Sequence, residues 1–393
     1  MSCYTYCNLP ASARLIWDRR CWTSSNGISR ERGTTMSDTA LTWEWPFSRS
    51  ELMAGLRRYL AASTLRLLEI KPIPLPLTMP GTSFTEESGT RLSAMSVGVR
   101  IDGDDYDLPL MLKQPPVSRN GRVLRAVGQR EYGVYRLLAP HLPLLVPGLV
   151  AGDEAEGWVI LEVLTGLRPA TEWTVEDYEE ALGNLVGMHD RFWGLFEVLA
   201  TYPWLARLLE ADFRDTVMAA QDAVQSLRHD TNHPALTLYL DLFDRLTHAA
   251  DAIAAPLRAE TATLVHGDYW PGNIARPIDG RQIVFDWQLA GIGPAILDLV
   301  GLVQTTRLRL EPVMPPQAMI DLYRDQADHL FKPEWDDTTF HVLWDHALMW
   351  LFVARWLPRL ATMPPNVYAH LHPRFREVWL ETLVAAAERR LTE

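Results

Sequence analysis

The chain has 393 residues, more than most single cores hold, so two lobes are expected. Its 48% apolar and 22% charged content is that of an ordinary globular protein, and its net charge of −12 argues against a nucleic-acid partner, which demands a basic footprint. No stretch is long, apolar and charge-free enough to span a bilayer; the richest, His346 to Leu360, is broken by Arg355 and Pro358 and reads as a buried helix.

Cys3, Cys7 and Cys21 all fall in the first 35 residues, so the rest of the chain can build neither a disulfide framework nor a cysteine zinc site. Residues 1–35 also carry five Arg against two acids and have no apolar run of the secretory kind. They read as a disordered or artefactual leader on a cytoplasmic protein, with a transit peptide as the alternative, and Met36 opens a more ordinary sequence.

Residues 51–69 repeat apolar side chains at helical spacing and predict a helix. Ile73 to Leu77 is extended, and Thr78 to Gly89 is a loop rich in Gly, Ser and Thr. Arg91 to Ile101 alternates as a half-buried strand. A turn follows at Gly103-Asp104-Asp105, and then a second strand, Tyr106 to Lys113, with Tyr106, Leu108, Leu110 and Leu112 on one face. Pro109 inside that strand implies an edge position or a bulge. Residues 122–138 read as a helix and Gly157 to Val163 as a buried strand. From residue 174 onward helices dominate, over 204–250, 317–330, 340–360 and 374–391. One β island interrupts them at 262–287, with three strands and a tight Asp279-Gly280 turn.

The chemistry lies in that island, in His266-Gly267-Asp268-Tyr269-Trp270-Pro271-Gly272-Asn273, followed by Asp286-Trp287. Phosphoryl transfer asks for one carboxylate to take a hydroxyl proton and for oxygen ligands that hold magnesium against the phosphates. An acid and an amide here flank a loop of four, and a second acid ends a short hairpin. Taken singly, such loop residues could only cap turns. Lys113 also stands out, because the chain has only three lysines, Lys71, Lys113 and Lys332, and chooses Arg everywhere else. A compact ammonium suits a phosphate in a tight site; a lysine that snorkels at a strand end is the alternative.

The segment resembles the catalytic loop and metal-binding aspartate of the aminoglycoside phosphotransferase and choline kinase family, relatives of the protein kinases, over roughly residues 75–360. The resemblance implies an α+β, protein-kinase-like two-lobed fold. A nucleotide-binding N-lobe with a small antiparallel sheet would occupy residues 36–163, and a larger helical catalytic and substrate lobe 164–393. It implies Asp268 as catalytic base, Asn273 and Asp286 as magnesium ligands, and Lys113 on the α- and β-phosphates of ATP. Glu131, in the next helix, would pair with that lysine or sit on a solvated helix face. The Glu162 C=O and the Leu164 N–H would pair with adenine, unless the segment is a plain linker.

The acceptor would be a small molecule with a hydroxyl group, such as an aminoglycoside, a sugar or an amino alcohol. The stretch MPGTSFTEESGTRL stands where phosphates would be covered, but it has no GxGxxG, and Glu86 and Glu87 would repel a triphosphate they faced. His266 reads as a residue that orients its loop, and His189 as a satisfied core histidine. Asp298 either fixes the catalytic loop or serves the dipole of its own helix. Trp335, Trp344, Trp350 and Trp356, with Asp336, Asp337 and Asp345 nearby, are either core packing or a cage for a cationic substrate. Two competing readings are a nucleotide-binding pseudokinase, which intact Lys113, Asp268, Asn273 and Asp286 oppose, and a metal-dependent phosphatase, which lacks enough His and carboxylate ligands.

Overall fold

The computed structural model describes residues 45–75, 91–117, 123–230, 233–278 and 280–391. The leader at 1–35, the phosphate-covering stretch at 78–90 and Asp279 of the expected turn lie outside the described residues.

Helix α1 (Arg49–Tyr59) starts at Ser48, whose hydroxyl accepts from the Glu51 N–H while the Glu51 carboxylate accepts from the Ser48 N–H. It ends ten residues before the expected boundary. Ala61 turns left-handed (φ 50°), and strand β1 (Arg66–Ile73) follows. A bulge between Leu67 and Glu69 breaks the alternation of β1, which hid its period of two in the sequence.

Strands β2 (Arg91–Ile101) and β3 (Asp104–Gln114) form the predicted hairpin. Its turn is Asp102-Gly103, both at positive φ, one residue earlier than expected. With β4 (Leu149–Asp153) and β5 (Trp158–Glu162) they complete an antiparallel sheet in the order β1-β2-β3-β5-β4. Even-numbered Leu110 and Leu112 of β3 pack with Met95, Val97 and Val99 of β2 against Leu52 and Leu56 of α1. Odd-numbered Met111 and Lys113 therefore face the other side, toward helix α2 (Arg125–Gly133) and the rest of the chain.

Because β3 is an interior strand, the edge expected from Pro109 is not a sheet edge. The Pro109 carbonyl accepts from the Val163 N–H just beyond the end of β5, so the missing N–H falls where the ladder stops.

Beyond β6 (Leu167–Arg168) and α3 (Val175–Phe192) the chain is mainly helical, with α4 (Phe213–Arg228), α5 (Leu240–His248) and α6 (Ala250–Ala259) leading into the β island. There β7 (Ala262–Val265) pairs with β10 (Gly291–Pro294), a strand the sequence reading missed. The predicted hairpin is β8 (Ile274–Pro277) with β9 (Ile283–Val284).

Helices α7 (Ile296–Arg309), α8 (Pro316–Leu330) and α9 (Asp337–Leu351) follow. A wide π-turn over Phe352–Trp356 joins α9 to α10 (Leu357–Leu360). Pro358 explains it, since the ring would clash with the Ala354 carbonyl in a regular helix. The last helical run starts at α11 (Pro365–Phe375), earlier than expected, because Pro373 lies inside it instead of breaking it; α12 (Thr382–Arg390) closes the chain. The largest apolar core joins α3 to α12 and contains Trp287, Trp350 and Trp379, all fully buried. The fold is thus α+β, with a small antiparallel sheet and a larger helical part, as the resemblance implied. Among the described residues no helix is long and apolar enough to cross a membrane.

Candidate active site

The loop after β7 is shaped by backbone. Gly267 has φ 86°, and a Cβ there would meet the Leu289 carbonyl oxygen at 2.2 Å, so only glycine fits. The Asp298 carboxylate, in the first turn of α7, accepts from the His266 N–H at 2.7 Å and the Gly267 N–H at 2.8 Å. Of the two readings left open for Asp298, fixing the loop matches this geometry. Burial works against its charge, but the hydrogen bonds from His189 and the Gly267 N–H outweigh burial and hold it below the ordinary carboxylate range. His189 is buried, with Nε2 3.3 Å from Asp298 and Nδ1 2.6 Å from the Tyr323 hydroxyl, as expected of a satisfied core histidine.

His266 Nδ1 accepts from the Asp268 N–H at 3.1 Å. Its Nε2 therefore carries the proton and donates to the Phe285 carbonyl at 3.1 Å. Burial lowers its pKa, so the ring is neutral and links the Asp268 loop to the Asp286 segment. Both ring nitrogens are spent on the backbone, the loop-orienting arrangement expected of it.

Asn273 Nδ2 donates to the Asp268 main-chain carbonyl and to Oδ2, both at 2.8 Å. The Asn273 carbonyl accepts from the Phe285 N–H at 3.0 Å, which continues the β8–β9 ladder and delivers Asp286 beside Asn273. Asp286 itself is left-handed (φ 66°), a conformation aspartate tolerates better than most residues. Asp268 is held above the ordinary aspartate range, first by burial and then by the charge of Asp286, against the pull of Arg355.

Lys113 Nζ lies 2.6 Å from Asp286 Oδ1 and 2.8 Å from Glu131 Oε2. Burial opposes its charge, but the two carboxylates outweigh burial and keep the ammonium protonated. Glu131 is buried, so the solvated-face reading fails. Its neighbour Arg130 ties α2 to the helical part, donating to the Gln288 carbonyl at 2.9 Å and the Trp204 carbonyl at 3.1 Å.

Lys113, Glu131, Asp268, Asn273 and Asp286 all line one cavity of about 390 Å³, as do Glu162 and Leu164. The Glu162 carboxylate is occupied elsewhere, accepting from Tyr59 Oη at 2.7 Å and the Gly148 N–H at 2.8 Å.

The aromatic cage is not formed. Of its four tryptophans only Trp356 lines the cavity, while Asp345 is bound by Arg389 and Arg390. The helical wall instead contributes Arg309, Arg355 and Arg359, none of which carried a motif. An Arg amid the apolar run of residues 346–360 was the available signal.

Among solved structures, the chain is similar to a choline kinase from Streptococcus pneumoniae, at 12% identity and a TM-score of 0.47, over 81% of this chain and 94% of that one. It is similar to an aminoglycoside phosphotransferase from Alicyclobacillus acidocaldarius, at 13% and 0.43, over 76% and 90%. It is also similar to an amicoumacin kinase solved with AMP-PNP and Ca2+, at 15% and 0.47, over 79% and 88%. No curated protein matches the chain. The sequence model of the phosphotransferase enzyme family, however, matches residues 99–341. That span exceeds half of the 393 residues and takes in Lys113, Glu131, Asp268, Asn273 and Asp286, so the chain belongs to this family.

Proposed function

We propose that the chain transfers the γ-phosphate of ATP to a hydroxyl group of a small molecule. The convergence of Lys113, Asp268, Asn273 and Asp286 on one cavity carries this reading. In it, the sheet-bearing part, residues 36–163, binds the nucleotide, and residues 164–393 supply catalysis and the acceptor surface.

Asp268 is the base. Its Oδ2 accepts from Asn273, which leaves Oδ1 for the acceptor hydroxyl. The acceptor O–H bond breaks with its proton passing to Asp268, the acceptor oxygen bonds to the γ-phosphorus, and the bridging bond to the β-phosphate breaks to release ADP. Lys113 meets the α- and β-phosphates, and Glu131 keeps it charged and aimed. Glu162 and Leu164 meet the adenine through their backbone.

The donor set fits magnesium, a hard cation that takes oxygen ligands. Asp286 has a second carboxylate oxygen beyond the one near Lys113, and Asn273 spends its amide N–H groups on Asp268, leaving its amide oxygen. Magnesium, when bound, screens the β- and γ-phosphate oxygens. Calorimetry with Mg-ATP and a screen of hydroxyl compounds for ADP release test the reading. Micromolar to millimolar nucleotide binding that Asp286→Ala removes is expected, and unchanged binding in that variant would overturn the assignment of Asp286.

A further inference from the structure

We infer that the acceptor is an anion, a hydroxyl compound carrying a carboxylate or phosphate group on an apolar or aromatic body. This inference rests on the phosphotransfer reading and names the substrate class of the same cavity.

The cavity has two unlike walls. One belongs to the sheet and α2, where the single cation Lys113 is matched by Glu131 and Asp286. The other is built by α7 and by the run from α9 through α10. On α7, Thr305 and Arg309 are one turn apart, half-buried, and both line the cavity. On the second run, Arg355 in the π-turn and Arg359 in α10 are again one turn apart. This wall presents three guanidiniums and no carboxylate of its own. In a chain of net charge −12, that is a local inversion of sign.

Arg355 is the most informative of the three. Among the described residues its guanidinium makes no hydrogen bond and no ion pair. It is half-buried, and desolvation pulls its pKa down against the opposing charges of Asp268 and Asp298. A desolvated cation without a paired anion is unfavourable, and a bound carboxylate or phosphate would complete it with a forked pair of hydrogen bonds. An ammonium acceptor in the same place would face like charges. Trp356 lies beside these arginines on the cavity lining, backed by buried Trp379, so the body of the acceptor meets an apolar aromatic wall there. Asp268 is in the charge field of Arg355, so an acceptor held by its anionic end there has its hydroxyl within the same cavity as the base.

The test uses a series on one hydroxymethyl-benzene body: para-(hydroxymethyl)benzoate, its nearly isosteric neutral amide, and para-(hydroxymethyl)benzylamine as the cation, with para-(hydroxymethyl)phenyl phosphate as the phosphate arm. Binding to the whole chain without nucleotide is followed by tryptophan fluorescence, and ADP release is followed with Mg-ATP. The benzoate or the phosphate should bind and turn over with kcat/KM roughly 10- to 100-fold above the amide, the scale of a hydrogen bond to a charged group. Whichever anion leads identifies the source of the charge. Arg355→Gln should raise the KM for that anion by a similar factor, leave Mg-ATP affinity unchanged, and bring acid and amide together. Arg355→Lys should keep part of the preference, which separates charge from packing if the glutamine variant is unstable.

Preference for the amine, or equal use of acid and amide by the unaltered protein, would overturn the inference. So would an equal loss with both substrates in Arg355→Gln, which would assign the arginine to the transferred phosphoryl group. Anion binding that depends on Arg355, without ADP release from any acceptor, would uphold the anion site and overturn the phosphotransfer reading instead.

Discussion

Lys113 Nζ stands 2.6 Å from Asp286 Oδ1, although 173 residues separate them in the chain. One residue comes from the interior strand of the sheet and the other from the end of the β8–β9 hairpin, so this ion pair fastens the two walls of the cavity. Replacing the lysine leaves buried Glu131 without its partner. Lys113→Met should cost roughly 3–5 kcal/mol of stability, the usual effect of breaking a buried pair, and should weaken Mg-ATP binding. Adding Glu131→Gln should restore much of the stability but not the affinity. Urea unfolding and calorimetry measure the two separately, and recovery of both would place Lys113 outside the nucleotide site.

Asp268→Asn keeps the shape of the loop and removes the base proposed above. Turnover should fall roughly 10²–10⁴-fold while Mg-ATP binding persists. In the unaltered protein, burial and Asp286 raise the pKa of Asp268, so kcat/KM should be lost on acidification at a pH above the ordinary aspartate range. The Arg355 charge opposes that shift, so Arg355→Gln should move the acidic limb higher still. A limb that stays in place in Arg355→Gln would show that the two charges do not communicate.

The loop depends on Asp298 and Gly267 as much as on its reacting groups. Asp298→Ala strands two N–H donors and should cost roughly 2–5 kcal/mol. Gly267→Ala adds a left-handed penalty to the clash with Leu289 and should cost at least about 2 kcal/mol. Both should lower kcat with Asp268 intact. Thermal unfolding within error of the unaltered protein would contradict the clash.

The buried histidines should each lower stability as the solution is acidified from neutral. Burial depresses the pKa of His266, and that of His346 likewise, below the ordinary value of about 6.5. Above that pH both rings are neutral in the folded and unfolded chain. Below it the unfolded chain gains protons that the folded chain refuses, so unfolding is favoured. Each such histidine contributes a slope of at most about 1.4 kcal/mol per pH unit. His266→Gln should flatten the profile between pH 6.5 and 5, and an unaltered slope would show that His266 titrates normally in the fold.

What could be read from the sequence divides along the range of the interactions. The β2–β3 hairpin and the Asp268–Asn273 loop are set by neighbours, and local alternation and spacing revealed them. The expected helix over 51–69 runs into Arg66–Glu69, the first half of β1, because the bulge there masks the alternation. Strand β10 has a Gly-Ile-Gly-Pro run without a strand pattern, and it forms by pairing with β7, Gly291 meeting Val265 only once the intervening loop and hairpin have closed. Arg309, Arg355 and Arg359 lie on helices without a motif, so only tertiary packing brings them to one wall. For the tryptophan cluster the sequence left core packing and a cage open, and packing holds: of the four only Trp356 lines the cavity.

The hold of Arg130 on the Gln288 and Trp204 carbonyls has a consequence for regulation. Glu131 is the next residue on the same helix, so α2 cannot swing outward and release Lys113 without first breaking those two bonds. The same helix is thus held twice, by Arg130 to the helical part and by Glu131 to Lys113 of the sheet. Any control that worked by moving α2 would therefore have to break the Arg130 bonds and the Lys113–Glu131 pair together, so a covalent mark or helper protein is better placed to act elsewhere.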